Sequence, residues 1–409
     1  MKYARIPKVQ YPCCMASTDR MYGPFCLVLM VSMPSFHKET CRKAAFQRKQ
    51  EALSYFCPET GSVFMQQIPS VAVVILNWNG RSFLEQFLPS VCASTYTSLG
   101  IYLADNASTD NSVAFVREHF PQVRILAGET NEGFAGGYNR ALQEVEADYY
   151  VLLNQDVEVE PGWIEPVIAW MESDRNLAAC QPKIRSWKQK DFFEYAGAGG
   201  GWIDRYGFTF CRGRIFDDVE PDRGQYDDAQ KIFWATGAAL FIRSFIFHEA
   251  GGFDPFFFAH MEEIDLCWRI QNMGYDIGYC PASCVYHVGG GSLPQGNPRK
   301  IYLNFRNNLL LLHKNLPARV RWLHLLVRLF LDGIAGLRSL VQGRPKEVGA
   351  ILRAHLDYYR WWMGGTAFFY PPCKKRSFRK LKGTYRGSLA WQYFIRQRKT
   401  FGEVMQSKV

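Results

Sequence analysis

The chain has 409 residues, 48% hydrophobic and 21% charged, which is apolar material for one large domain or two ordinary ones and excludes disorder by composition. Its formal charge of +10 is uneven: from Lys314 onward there are 20 Lys and Arg against 4 Asp and Glu, and the part before it is net acidic. This excludes a nucleic-acid-binding body and points the basic C-terminal part toward an anionic surface, of which a lipid bilayer is the plainest. The 12 cysteines are scattered, without a C-x-x-C pair or zinc spacing, and read as reduced, mostly buried thiols in a cytosolic setting.

Residues 1–68 are an atypical N-terminal extension with five of the cysteines, no sustained period and one apolar run, Phe25–Met33, too short to cross a bilayer. Regular alternation begins just after Met65, so translation is expected to start there. Val71–Leu76, VAVVIL, has the β-branched continuity of a strand buried on both faces, and Asn77-Trp78-Asn79-Gly80 breaks it. Ser82-Phe83-Leu84-Glu85 reads as a capping box opening a helix to Cys92, and Ile101–Ala104 as a strand ending in Asp105-Asn106-Ala107-Ser108-Thr109-Asp110. A helix to Phe120, a strand over Val123–Ala127, a glycine-rich turn over Asn131–Tyr138 and a helix over Asn139–Val145 continue a βαβ rhythm. Tyr149–Leu153 is the fourth strand; it breaks at Asn154 and delivers Asp156 to the sheet edge, after which Val157 and Val159 resume alternation.

Beyond Pro161 a helix is expected over Trp163–Met171. Residues 186–232, rich in Gly, Asp and aromatics, read as a long mobile region over a site. Phe233–Arg243 is a turn and strand, Phe253–Phe258 an aromatic loop, and Met261–Met273 a helix acidic at its start. Short strands over Asp276–Cys280 and Ser283–His287 precede a loop at Gly289-Gly290-Gly291-Ser292, and His313 closes the compact part. Arg319–Val341 is helical and nearly all apolar, but Arg321, Arg328 and Asp332 share one of its faces. It therefore fails as a membrane span and fits an interfacial helix, a reading preferred to packing on the domain because Arg344–Lys399 adds basic clusters and Tyr358–Trp362 an aromatic run.

The chain has no G-x-x-x-x-G-K-[ST] loop, and Gly133, Gly136 and Gly137 do not make G-x-G-x-x-G after the first strand, which weakens a dinucleotide dehydrogenase. A parallel sheet would instead bring three polar strand ends, Asn77, Asp105 and Asp156, to one crevice. Asp105 can accept from a pyrimidine ring N–H; Asp156 can hold a divalent ion between two phosphates, or simply cap a turn. On the later helix Glu262, Asp265 and Arg269 share a face, so Asp265 suits an ion pair with Arg269 better than proton transfer. Glu263 points elsewhere and suits a general base, and His287, at a strand end, can give a neutral nitrogen to the same metal as Asp156.

The stretches VAVVILNWNG, LADNASTD, NEGFAGGYNRAL, LLNQDVEV, ATGAALFIRS, GGFDPFFFAHMEEIDLCWRIQNMGY and VYHVGGGS together resemble family-2 glycosyltransferases of the GT-A fold, most of all their rhamnosyltransferase-like branch, over about Pro69 to Leu316. The resemblance implies an α/β nucleotide-diphospho-sugar transferase fold, Rossmann-like with a mostly parallel central sheet, over residues 69–316. A basic, amphipathic, membrane-associating helical tail would follow over 317–409. It implies a donor site of Asn77, Asp105, Asn106, Gly133, Asn154, Gln155 and Asp156. A Mg or Mn ion would sit on Asp156 and His287, and an acceptor wall would include Trp234, Thr236 and Gly237. The base would be the second acid of the E-D pair, here Glu263, with Glu262 and Asp265 as acidic neighbours.

Two departures stand out: Asn154 replaces the first Asp of D-x-D, and Glu at the base position leaves the role open between Glu263 and Glu262. The implied activity is inverting transfer of a sugar, rhamnose included, from a dTDP- or UDP-linked donor to a hydroxyl of a cell-surface or polyprenyl-linked glycan. The setting would be the cytoplasmic face of the cell membrane, with an anionic membrane surface and no nucleic acid as partner. A membrane-associated glycan-binding or scaffold protein with a degenerate site, and a nucleotidyltransferase, are the alternatives.

Overall fold

The computed structural model describes residues 68–289, 297–365 and 374–406, so the N-terminal extension with its expected start at Met65, and the loop Gly290–Ser292, lie outside the described residues. Four strands, Val71–Asn77 (β1), Leu99–Asp105 (β2), Arg124–Ala127 (β3) and Tyr149–Asn154 (β4), run parallel in the order β3-β2-β1-β4. The helices Arg81–Cys92 (α1), Ser112–His119 (α2) and Gly133–Ala141 (α3) make the crossovers. Val71, Val73 and Ile75 join an apolar cluster on one sheet face, while Ala72 and Val74 join another on the opposite face, which is why β1 can be apolar without interruption.

The chain builds outward from β1 to β3 and then returns to place β4 on the other side of β1. This reversal opens a crevice at the carboxyl ends of β1 and β4. Register aligns Asn77 with Asp105 and Leu76 with Asn154, so the polar residues that end the three strands emerge at one level.

The remaining strands and α-helices are Val157–Val159 (β5), Glu165–Ser173 (α4), Leu177–Ser186 (β6), Gly201–Asp204 (β7), Thr209–Cys211 (β8), Arg214–Ile215 (β9), Asp218–Val219 (β10), Gln230–Ile232 (β11), Ala239–Arg243 (β12), Ser244–Glu249 (α5), Glu262–Met273 (α6), Asp276–His287 (β13), Pro298–Asn315 (α7), Ala318–Val341 (α8), Pro345–Met363 (α9), Thr384–Tyr385 (β14) and Phe401–Met405 (α10). The sheet is mixed: β12 lies antiparallel between β4 and β6, β13 is parallel to β6, and β11 and β5 pair antiparallel with β13. The mostly parallel expectation fails at β12 for a topological reason. Ala239 pairs with Leu153 and Arg243 with Tyr149, so the chain enters β12 from the crevice end, with no helical crossover to turn it round.

Several local expectations are corrected. Residues 186–232 are not a mobile cover; β7 to β10 lie there and join β14 in a second sheet, order β10-β9-β8-β7-β14, whose Ile203, Phe210, Cys211 and Ile215 are fully buried. Glycine is needed at Gly201, where a Cβ would stand 2.2 Å from the Trp234 ring. The Ser82–Glu85 capping box does not form: α1 starts at Arg81, whose guanidinium pairs with Glu85 at 2.9 Å and whose amide donates to Asp110 Oδ2 at 3.0 Å. Helix α3 begins at Gly133 instead of Asn139, because the Phe258 carbonyl accepts from the Phe134 amide at 2.8 Å. The two short strands near Cys280 are one strand, β13, with an irregularity between Cys280 and Cys284.

The long helices of the tail lie in its first half, and its second half has only short ones, the last at Phe401–Met405. Helices α8 and α9 confirm the helical periodicity after His313, but β14 pairs with β7, and Leu381, Tyr385, Leu389, Phe401 and Val404 are buried in the same core as the body. The described chain from Ile68 onward is accordingly one compact unit. Among the described residues no helix is long and apolar enough to cross a membrane.

Candidate active site

The floor of the crevice is a polar network that pins the strand ends. Asn77 Nδ2 donates to Asp105 Oδ1 at 2.8 Å, Ser108 Oγ at 3.0 Å and Ser112 Oγ at 2.9 Å, and the Ser108 amide donates to Asp105 Oδ2 at 3.0 Å. Asn79, in the left-handed region at φ 50°, receives the Thr109 amide at 2.7 Å, so the loops after β1 and β2 are tied together. Asn106 Nδ2 donates to Asn131 Oδ1 at 3.0 Å and to the Gly133 carbonyl at 2.9 Å; buried in this way, it shapes the glycine-rich turn. Gly133 has φ 71° and lies so close to Phe258 that a Cβ would stand 2.6 Å from its carbonyl oxygen. Gly80 leaves room above the floor: a Cβ there would meet Gln155 Oε1 at 2.0 Å and Asn77 Oδ1 at 2.6 Å. Both oxygens are buried without a hydrogen-bond partner, as acceptors facing a ligand space would be.

Past β4 the chain turns, and Asp156 comes to the end of β13. Its Oδ1 lies 3.2 Å from His287 Nε2, and Asn154 Nδ2 lies 3.3 Å from the same nitrogen. On the other side of the ring, His287 Nδ1 is 3.3 Å from Glu194 Oε2. Burial works against charge on this imidazole, yet the two carboxylates outweigh it and push His287 up to about 10. Burial likewise opposes charge on Asp156, and the His287 cation with its hydrogen bond holds the carboxyl below its usual range. Glu194 escapes sequence reasoning altogether: it lies in the segment read as mobile, and its approach to His287 depends on its amide donating to the Ile184 carbonyl at 3.0 Å.

The pair fits a divalent ion in one specific respect. Two ligands held about 2.1 Å from an octahedral ion stand about 3 Å apart, and Asp156 Oδ1 and His287 Nε2 are 3.2 Å apart. Among the described residues no group of three His, Cys, Asp or Glu side chains is arranged for a metal, so the fit to an ion rests on this pair alone.

The second half of the site is the start of α6. Phe258, His260 and Met261 all have positive φ, at 65°, 69° and 75°, an unusual concentration of left-handed non-glycine residues. Asn307 of α7 holds this turn: its Nδ2 faces the carbonyls of Phe257 at 3.0 Å, Ala259 at 2.9 Å and His260 at 2.7 Å, while Arg306 Nε donates to its Oδ1 at 2.9 Å. The turn presents Glu262 and Glu263, each with one buried carboxyl oxygen lacking a partner. Burial raises both carboxyls out of the ordinary range, Glu262 further because the Glu263 charge adds to it, while backbone amides of the helix start partly offset the rise at Glu263. His260 is half-buried, with its Nε2 inaccessible and unpartnered, and desolvation, followed by the Lys300 charge, holds it neutral down to about 4.

Asp265, a candidate catalytic acid, is placed elsewhere. It is fully buried, accepts from Arg269 Nε at 2.8 Å and Asn315 Nδ2 at 2.6 Å, and anchors α6 to α7. The expected acceptor wall is packed against neighbouring elements: Trp234 Nε1 donates to the Trp202 carbonyl at 3.0 Å, Thr236 lies against Gly197, and Gly237 lies against Phe134. A separate concavity of about 630 Å³, lined by Glu160, Trp170, Lys183, Arg185 and Tyr286 among others, includes none of these site residues.

Residues 72–225 match the family model described as glycosyl transferase family 2. The chain is 27% identical over 233 residues to the N-acetylglucosaminyl-diphospho-decaprenol L-rhamnosyltransferase of Mycobacterium tuberculosis (strain ATCC 25618 / H37Rv), covering 53% of this chain and 75% of that protein. It is 26% identical over 224 residues to rhamnosyltransferase WbbL of Escherichia coli (strain K12), covering 53% and 83%. Among solved structures, mannosyltransferase PcManGT from Pyrobaculum calidifontis, in complex with GDP-Man and Mn2+, overlays 81% of this chain and 85% of that one with a TM-score of 0.46 and 14% identity. Residues 72–225 thus carry a glycosyl transferase family 2 domain, in a chain whose central sheet is mixed and flanked by helices. It is a glycosyltransferase.

Proposed function

We propose that the enzyme transfers a sugar, rhamnose by analogy with its relatives, from a nucleoside diphosphate donor to a hydroxyl of a lipid-linked glycan, with inversion at the anomeric carbon. The observation that carries the donor site is the common level of Asn77, Asp105 and Asn154 at the reversal of strand order, with the Asp156–His287 pair just beyond it. In this reading Asp105, held by Asn77 and Ser108, meets the nucleobase of a dTDP- or UDP-linked donor, and the free oxygens of Gln155 and Asn77 take donor hydroxyls. Asp156 and His287, the latter after losing its Nε2 proton to solvent, would hold Mg or Mn, which when bound supplies positive charge to the leaving diphosphate. Glu263, raised by burial, takes the acceptor hydroxyl's proton as that oxygen attacks the anomeric carbon from the side opposite the diphosphate. Glu262, raised further, stays protonated and leaves the base charge to its neighbour. Trp234, Thr236 and Gly237 back the acceptor side from within the packed wall.

The M. tuberculosis relative's name joins a rhamnose donor to a decaprenol-linked acceptor, which supports a polyprenyl-linked acceptor here. Such an acceptor places the enzyme at the inner face of the cell membrane, with the basic C-terminal part against anionic lipid.

The test is a panel of nucleotide sugars with manganese or magnesium. Release of nucleoside diphosphate that depends on the metal and disappears in Glu263→Gln and Asp156→Ala is expected. Glycan binding without release from any donor would establish the scaffold reading instead, and pyrophosphate as product a nucleotidyltransferase.

A further inference from the structure

Helix α8 is built inside out. Its buried residues include Arg328, Asp332 and Ser339: Arg328 pairs with Asp332 at 2.8 Å, and Asp332 Oδ2 lies 3.1 Å from His355 Nε2 of α9. Its large apolar side chains face outward instead. Trp322, Leu323, Leu326, Leu329, Phe330, Ile334, Leu337, Leu340 and Val341 are all exposed, Phe330 at 69% and Leu326 at 64%. They recur at three- and four-residue steps, so they form one stripe along about 30 Å of helix, a contiguous apolar surface well beyond what scattered exposure explains. On α9, Leu352, Leu356, Trp362 and Met363 are exposed as well, and Trp322 meets Trp362 with ring centroids 4.8 Å apart, which links the two helices at one end.

A contiguous apolar face of this size on a helix that turns its charges inward marks a surface that meets an apolar medium. Three observations decide which medium. Neither helix is long and apolar enough to cross a bilayer, so the face would lie in the plane of an interface. Exposed cations accompany the stripe, Arg319 and Arg338 on α8, Arg344 at the turn, and Lys346, Arg353 and Arg360 on α9, and the chain from Lys314 onward has 20 Lys and Arg against 4 Asp and Glu. A second copy docking here would press two such cationic rims together, whereas anionic headgroups would neutralise them.

The geometry points to the outer face of α8, with the exposed side of α9, as a surface that seats this enzyme in the headgroup region of an anionic bilayer with the leucine stripe at the acyl boundary. This deepens the membrane part of the functional reading and rests on it, but it is independent of the transfer chemistry. Trp322 and Trp362 would mark the level of the interface.

The experiment uses the full chain and sedimentation with vesicles of phosphatidylcholine alone or mixed with phosphatidylglycerol. Binding at least tenfold stronger to the anionic vesicles is expected. The triple variant Leu326→Glu, Phe330→Glu, Leu337→Glu should lose at least tenfold of it while keeping its thermal midpoint, because the three side chains are exposed in the folded chain. Brominated acyl chains should quench tryptophan fluorescence in the wild type and less in Trp322→Phe. Undiminished vesicle binding by the triple variant would overturn the inference. So would a wild-type dimer, seen by light scattering, that the triple variant turns into monomer with no change in vesicle binding. Donor turnover is followed in parallel: vesicle binding without turnover sinks the transferase reading and leaves the docking surface standing, and turnover without vesicle binding does the reverse.

Discussion

Replacing Asn307 by Asp changes one atom of a buried side chain from donor to acceptor. The wild-type amide donates into three carbonyls at 2.7 to 3.0 Å, and its orientation is set by Arg306 Nε on Oδ1. An aspartate would keep the Arg306 contact and turn a bare carboxylate oxygen toward the same three carbonyls. Each lost hydrogen bond is worth about 0.5–1.5 kcal/mol net, and leaving the Ala259 and His260 carbonyls without this donor adds about 1–3 kcal/mol, while the Phe257 carbonyl keeps Arg306 Nη2 at 3.0 Å; a loss of about 3–5 kcal/mol is expected if the turn keeps its shape. The alternative is relaxation. Three left-handed non-glycine residues store about 1–3 kcal/mol each, and releasing that strain would recover part of the loss by letting Phe258, His260 and Met261 move, which shifts Glu262 and Glu263 from their places. Stability and kcat are therefore linked: Asn307→Asp should lower the denaturant midpoint, kcat, or both, with KM for the donor changed little. Denaturant unfolding and steady-state nucleoside diphosphate release measure the two arms. Wild-type stability together with wild-type kcat would refute the anchoring role.

Other outcomes follow from the same geometry. Activity should rise with pH through a limb near neutrality instead of near the roughly 4.3 of a free glutamate, since burial raises Glu263 and only its deprotonated form accepts a proton; a pH profile of kcat, with the limb moved in Glu263→Asp, checks this. Arg269→Met should destabilise by about 3–5 kcal/mol by leaving Asp265 buried without its partner, read by thermal or chemical unfolding. Gly383→Ala should be strongly destabilising and cripple expression of folded protein, because a Cβ at φ 65° would stand 2.0 Å from the Phe233 amide nitrogen where β14 joins the second sheet; near wild-type melting would show that β14 does not dock as described.

The strands and their polar ends were legible because their causes are local. A β-branched run such as Val71–Leu76 belongs inside a sheet wherever the sheet is, and a polar residue at its carboxyl end is carried to the ligand side by the period of the strand. Thus Asn77, Asp105 and Asp156 could be named in advance, and the Asp265–Arg269 pair followed from helical spacing alone. The capping box at Ser82 was misleading because a long-range partner, Asp110, holds the start of α1.

By itself the amino-acid order determined the parallel βαβ half, the polar strand ends and the helical period of Ala318–Val341. Only the tertiary structure decided that β12 is reversed, that Glu194 backs His287, that Asn307 grips the turn before Glu262, and that the last residues return as β14. Each of these depends on residues far apart in the chain, as with Glu194 and His287 or Thr384 and Ile203, and no local propensity encodes which distant backbone a residue will meet. The direction of the leucines on α8 belongs to the same class. The period shows that they share a stripe, but only the burial of Arg328 and Asp332 shows that the stripe faces out.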